Sequence, residues 1–225
     1  MATLFSLLCA ENWWWDSGEE SYIRFHEDGT GEVSVTHSLF FTGLCWLYSK
    51  LVARCELCMF IAAHFNWKAC GLDSLSKEIN TAAPWLPSSH PCDIGQISIE
   101  MTLTTRRVQL GNIDMEQREI NENRLTDKAF LPNKFTLRLE KGRFMTAKDE
   151  PIVSDLPCYK TFNYRLSCEP SPFPARHIWK DPSGAPDQIK FWEWNQFQSH
   201  ERSVQWQSTE GGKIFNTCKR AIGLD

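Results

Sequence analysis

Hydrophobic and polar residues alternate with a period of two over several stretches of the chain. The cleanest runs over residues 96–105, where Ile97, Ile99, Met101 and Leu103 face one way and Ser98, Glu100, Thr102 and Thr104 the other. Residues 59–67 repeat the pattern with Met59, Ile61, Ala63, Phe65 and Trp67 on one side. Phe135, Leu137 and Leu139 form a third such face, and Phe162, Tyr164 and Leu166 a fourth. Each stretch predicts a strand with one buried face.

Residues 21–35 predict a nearly complete hairpin. Ile23 and Phe25 alternate with Tyr22, Arg24 and His26, and Glu27-Asp28-Gly29 supplies a three-residue turn closed by a glycine at positive φ. That register sets Ile23 opposite Val33, Arg24 opposite Glu32, and Phe25 over Gly31. Elsewhere the pattern predicts a short strand or helix over residues 3–10, a strand end at Trp13-Trp14-Trp15, a short helix over 114–124, and a turn at Lys141-Gly142.

After residue 169 the character changes. Pro170, Pro172, Pro174, Pro182 and Pro186 stiffen an extended arm. Pro186 and Asp187 then suit a helix start, and Ile189, Trp192, Gln196 and Phe197 fall at helical spacing, so a helix is expected over 187–200. Antiparallel strands joined by short turns, followed by one late helix, predict a mainly β protein. The expected fold is an antiparallel, closed or nearly closed β-barrel of about six to eight strands. Residues 1–200 would form that single domain, and 201–225 a loose tail.

Composition narrows the function classes. With 225 residues and 42% hydrophobic content the chain can bury a substantial core. A formal net charge of −4 gives no general attraction to nucleic acid or anionic membranes, so neither is an expected partner. Nine cysteines form an odd, irregular set, read as reduced thiols in a cytoplasmic protein. Cys55 and Cys58 make a CxxC pair without the second pair or histidines that zinc requires. The first residues lack the basic region of a secretory signal.

Ten tryptophans imply a wide aromatic core, a ligand cavity, or both. Adjacent strand residues point to opposite sides, so Trp13, Trp14 and Trp15 cannot all reach one core. Trp192 and Trp194 are likewise too close in a helix to share a face. At least one ring from each set must meet a ligand, a partner or the tail.

No catalytic signature emerges. GxSxG is absent, GTGE lacks a phosphate-loop lysine, and the six histidines show no ligating pairs, so no metal or cofactor is expected. His64, Glu100, Arg138 and Glu140 are acid–base candidates, but if the apolar faces point inward they form a polar outer surface. Residues 33–54 break the alternation. Val33-Ser34 also matches the translation of the fungal intron start GTGAGT, so a retained intron and an ordinary helix both stay open.

The segments FHEDGTGE, AAHFNWK, LRLEKGRF and PSPFPARHIWKDPSGAPDQIKFWEW, with residues 97–107, resemble a family of uncharacterised filamentous-fungal proteins. The resemblance covers about residues 11–197 and implies that the DGTGE strand passes quickly into AAHFNWK. It assigns no residue a role. The hairpin is also similar to those of lipocalin-like barrels, which implies an enclosed apolar ligand.

Two functions are therefore expected. One is a barrel holding a small apolar molecule, with cyclase or isomerase activity in fungal secondary metabolism as its enzymatic form. The other is a non-enzymatic module that docks a protein partner. For the first, the expected ligand-binding residues are Phe25, His64, Phe65, Trp67, Met101, Phe135 and Arg138.

Overall fold

The computed structural model describes residues 2–38, 57–71, 78–79, 91–148 and 160–201. Its strands are β1 (Ala2–Thr3), β2 (Trp13–Trp14), β3 (Tyr22–Phe25), β4 (Thr30–Ser38), β5 (Leu57–Ala69), β6 (Glu78–Ile79), β7 (Cys92–Arg107), β8 (Asn133–Phe144), β9 (Phe162–Glu169) and β10 (Gln196–Glu201). Two short helices accompany them, α1 (Leu4–Ala10) and α2 (Ala185–Ile189). β1 and β6 pair separately. The other eight strands close a barrel in the order β10-β2-β3-β4-β5-β7-β8-β9. Every neighbouring pair is antiparallel, so the ring is an up-and-down meander.

The β3–β4 hairpin has the predicted register, with Ile23 on Val33, Arg24 on Glu32 and Phe25 on Gly31. Gly29 adopts φ +81°, as the turn requires. The ring that fills the space over Gly31 is Phe65 of β5: a Cβ on Gly31 would lie 2.2 Å from its Cζ. Trp67 ties down the turn. Its backbone N–H donates to the Gly29 carbonyl at 2.7 Å, and its indole N–H donates to the carbonyls of Thr30 and His26 at 2.9 and 3.2 Å.

The inward faces are the apolar faces of the alternation. Ile23, Phe25, Val33, Ile61, Phe65, Ile97, Leu137, Leu139 and Leu166 are buried in one core. α1 lies against the hairpin end of this core. Thr3 and Ser6 form a capping box that starts it, and Leu4, Leu7 and Leu8 bury its apolar stripe. Phe5 sits 5.9 Å from the Trp67 ring, and Leu4 packs where a Cβ on Gly95 would stand. The Trp13 indole donates to the Leu8 carbonyl at 2.9 Å, fixing helix to barrel.

A bulge between β4 and β5 leaves Phe60 without a partner beside Val35–Ile61 and Thr36–Met59. Phe60 joins the main core, 4.9 Å from Phe191, whereas Met59 joins a second cluster with Ala62, Val108, Met115 and Ile120. Asn121 fastens this cover. Its side chain accepts from the Ala62 N–H and donates to the Ala62 carbonyl, both at 2.9 Å.

Three local expectations are corrected. Residues 114–124 form turns and a 3-10 segment, Asn121–Asn123, because Asn121 sits at φ 51° and bonds outward to Ala62. β8 runs through Lys141-Gly142, held on both sides by β7 and β9. The helix expected over 187–200 stops at Ile189, where Lys190 turns left-handed at φ 55°. A 3-10 turn, Phe191–Glu193, follows, and residues 196–201 become the strand that closes the ring. Residues 33–38 belong to β4 and pair with β5, while 39–54 of the proposed intron and 202–225 lie outside the described residues. Among the described residues no helix is long and apolar enough to cross a membrane.

Candidate functional site

β7 and β8 pair from Cys92–Lys141 as far as Met101–Asn133, and there they part. β7 continues to Arg107, paired with β5, while the chain before β8 carries the 3-10 segment Asp127–Phe130. The inward side chains Met101, Leu103 and Phe135 are thus bounded on one side by Ala129 rather than by another strand. The proline arm beyond β9 bounds them on the other side. Together they border a half-open cavity of about 260 Å³, lined also by Pro172, Phe173, Ile178 and Trp192.

The arm, which carries the 3-10 turn Arg176–Ile178, is held by specific hydrogen bonds and packing. Ser171 Oγ donates to the Trp194 carbonyl at 2.7 Å and accepts from the Phe173 N–H at 3.3 Å. Phe173 is buried, edge-on to Trp194 at 5.7 Å and beside Phe197 at 5.8 Å. The Trp179 indole donates to the Pro174 carbonyl at 3.0 Å. Two backbone bonds, Thr126 N–H to Ile178 at 2.9 Å and Lys180 N–H to Arg124 at 2.8 Å, stitch the arm to the segment before β8. Prolines fix φ along it, so little conformational entropy remains to be lost when a guest binds.

The floor is apolar, the rest of the wall carries polar groups as well, and the rim is basic. Lys128, Lys134 and His177 are exposed and border the cavity, and among the described residues no carboxylate lines it. Asn133 and Ser171 add neutral polar groups.

The structure distributes the expected ligand residues among three places. Met101 and Phe135 line the cavity. Phe25, Phe65 and Trp67 pack on one another, with Phe25 edge-on to Phe65 at 5.5 Å and to Trp67 at 5.4 Å, so these rings are core. Arg138 lies on the outer face, 3.0 Å from Asp93 and 4.0 Å from Glu140. His64 also faces outward, in a second groove of about 230 Å³ bordered by Phe65, His26, Asp28, Asn66 and Arg106. Burial and the nearby Arg106 charge hold the His64 imidazole below the ordinary histidine range. Glu100 is bound to Lys68 at 2.7 Å. His64, Glu100 and Arg138 therefore form a polar outer face and do not converge.

The tryptophans resolve as the alternation requires. Trp13 is buried in the core, Trp14 meets Tyr22 on the outside at 5.3 Å, and Trp15 stacks on Trp194 with centroids 3.5 Å apart. Trp192 is half-buried on the cavity wall. The sequence reading missed Lys128, Phe173, His177 and Ile178; the one signal near them was that Trp192 and Trp194 could not share a single face.

Among the described residues no group of three or more His, Cys, Asp or Glu side chains could hold a metal ion. Cys9, Cys70, Cys92 and Cys168 are free thiols. Burial, with Glu27 and Asp28 nearby, pushes the Cys9 thiol up to about 12, and burial also raises Cys168, so neither is poised as a nucleophile. The Cys55–Cys58 side chains lie outside the described residues. No family model, no curated protein and no solved structure matches the chain.

Proposed function

We propose that this protein binds a small apolar molecule at the end of its barrel where β8 begins. One observation carries the reading: a pocket of about 260 Å³ lies between the end of the barrel and the proline arm, floored by Met101, Leu103 and Phe135. Sites for drug-sized ligands measure roughly 300–1,000 Å³, so the guest is compact, a single or fused ring system. The resemblance to filamentous-fungal proteins favours a secondary metabolite, and the same reading keeps the protein in the cytoplasm. In its enzymatic form, as a cyclase or isomerase, His177 is the wall residue of the type that most often transfers protons.

A protein-docking module draws support from Leu131, 58% exposed just before β8. A single exposed leucine is ordinary on a protein surface, so the cavity is the stronger observation.

Titration with apolar aromatic probes should quench tryptophan fluorescence. Trp192→Phe should shrink the quenching while calorimetry still records binding. Trp67→Ala should instead cost about 3–5 kcal/mol of stability, because it empties a packed core, and leave affinity unchanged. A probe panel that gives neither quenching nor heat in the wild type would end this reading.

A further inference from the structure

We infer that the guest carries an anionic group, a carboxylate or comparable oxyanion, held at the cavity mouth by Lys128, Lys134 and His177. This rests on the binding reading above and specifies the ligand class for that site.

Most cations in this part of the molecule already have partners. Arg107 pairs with Glu122 at 2.8 Å, and Arg176 grips Asp187 with two bonds of 2.7 Å. Lys180 donates to the Glu122 carbonyl at 2.6 Å, and Lys190 sits 3.4 Å from Glu193. Lys128, Lys134 and His177 differ: among the described residues they have no ion pair or side-chain hydrogen bond, and all three border the cavity. Glu100, the cross-strand neighbour of Lys134, is itself bound to Lys68 at 2.7 Å. The apolar floor and the basic mouth therefore offer complementary ends to one molecule, a ring to Met101 and Phe135 and an anion to the rim.

Nearby dipoles give the lysines no charged partner: Asn133, whose Nδ2 donates to the Leu131 carbonyl at 3.1 Å, offers only a neutral amide oxygen, and Ser171 Oγ is taken up by Trp194 and Phe173. An incoming anion would meet three donors without first breaking an ion pair. Most of its affinity would still come from the apolar wall, because exposed charge contacts are individually weak.

Calorimetry with the full chain distinguishes the possibilities, using 1-naphthoate and its uncharged counterpart 1-naphthalenemethanol at about pH 7 and low salt. The naphthoate should bind about tenfold more tightly, the factor that two or three exposed charge contacts supply. The advantage should shrink in about 0.5 M salt, as screened contacts do. Lys128→Gln with Lys134→Gln should erase most of it and leave the alcohol's affinity unchanged, with circular dichroism confirming the fold. Equal affinity of the two probes in the wild type would overturn the anionic class and leave the apolar site standing. An advantage that survives in a Lys128→Gln, Lys134→Gln, His177→Gln variant would overturn its assignment to this rim. Failure of both probes to bind would overturn the inference and the reading beneath it.

Discussion

His64 shows how a residue chosen for chemistry can be placed for surface electrostatics. Its ring stands in the outer groove near Arg106, and desolvation and then that cation disfavour the imidazolium. The folded pKa is thus depressed below the ordinary value of about 6.5. The sign of the stability effect follows. Above about 6.5 the neutral ring contributes its full share, and that share is lost as pH falls through the unfolded value towards the folded one. Nuclear magnetic resonance titration should find His64 below the ordinary histidine value. Arg106→Gln should raise it part of the way, since burial remains. A His64 pKa unchanged by that substitution would remove Arg106 as a cause. Single residues were legible where local geometry decides them. Gly29 and the Ile23–Val33 pairing belong to a turn whose residues are contiguous. Whether Met101 and Phe135 line a cavity, by contrast, depends on how far β7 and β8 remain paired, which neither strand states alone.

At the scale of elements, β10 is the instructive case. Phe197, Gln198 and Ser199 are all buried, so the strand has no exposed face to display a period of two. Ile189, Trp192, Gln196 and Phe197 then lie by coincidence at helical spacing. Pro186 does open a helix, but the left-handed Lys190 ends it after one turn and its N–H closes on the Pro186 carbonyl at 2.7 Å. The strand is structurally indispensable because it alone joins β9 to β2. A chain truncated after Trp194 should expose both edges and aggregate, visible as light scattering and loss of a cooperative melt. Phe197→Ala in the full chain should cost about 3–5 kcal/mol in denaturant unfolding. A truncated chain that stays monomeric with unchanged circular dichroism would show that β10 does not hold the ring closed.

For the whole molecule, the strand-rich class and the presence of a barrel were legible from alternation, because each half-buried strand displays its own inward face. The site was only partly legible. Inward-facing Met101 and Phe135 could be named from strand parity, yet the cavity beside them owes its shape to the arm and to the segment before β8, two stretches without periodicity. Their placement comes from hydrogen bonds such as Ser171 to Trp194 and Thr126 to Ile178, which link residues distant in sequence.

The closing contact between β10 and β2 has a consequence for connectivity. Gln198 stands opposite Trp14, and the His200 N–H donates to the Glu11 carboxylate at 3.2 Å. A meander whose first and last staves are neighbours does not depend on where its thread is cut. Circular permutation should therefore be tolerated. A short glycine–serine linker, in place of residues 202–225, would run from Glu201 to Ala2, and new ends would open at the exposed Gly111-Asn112 turn. The permuted chain should recover the same ring by circular dichroism and bind the same aromatic probes, since Gly111 and Asn112 lie outside the cavity wall. If it folds but melts at a much lower temperature, the order in which the strands are made, and not only their final neighbours, contributes to the stability of the ring.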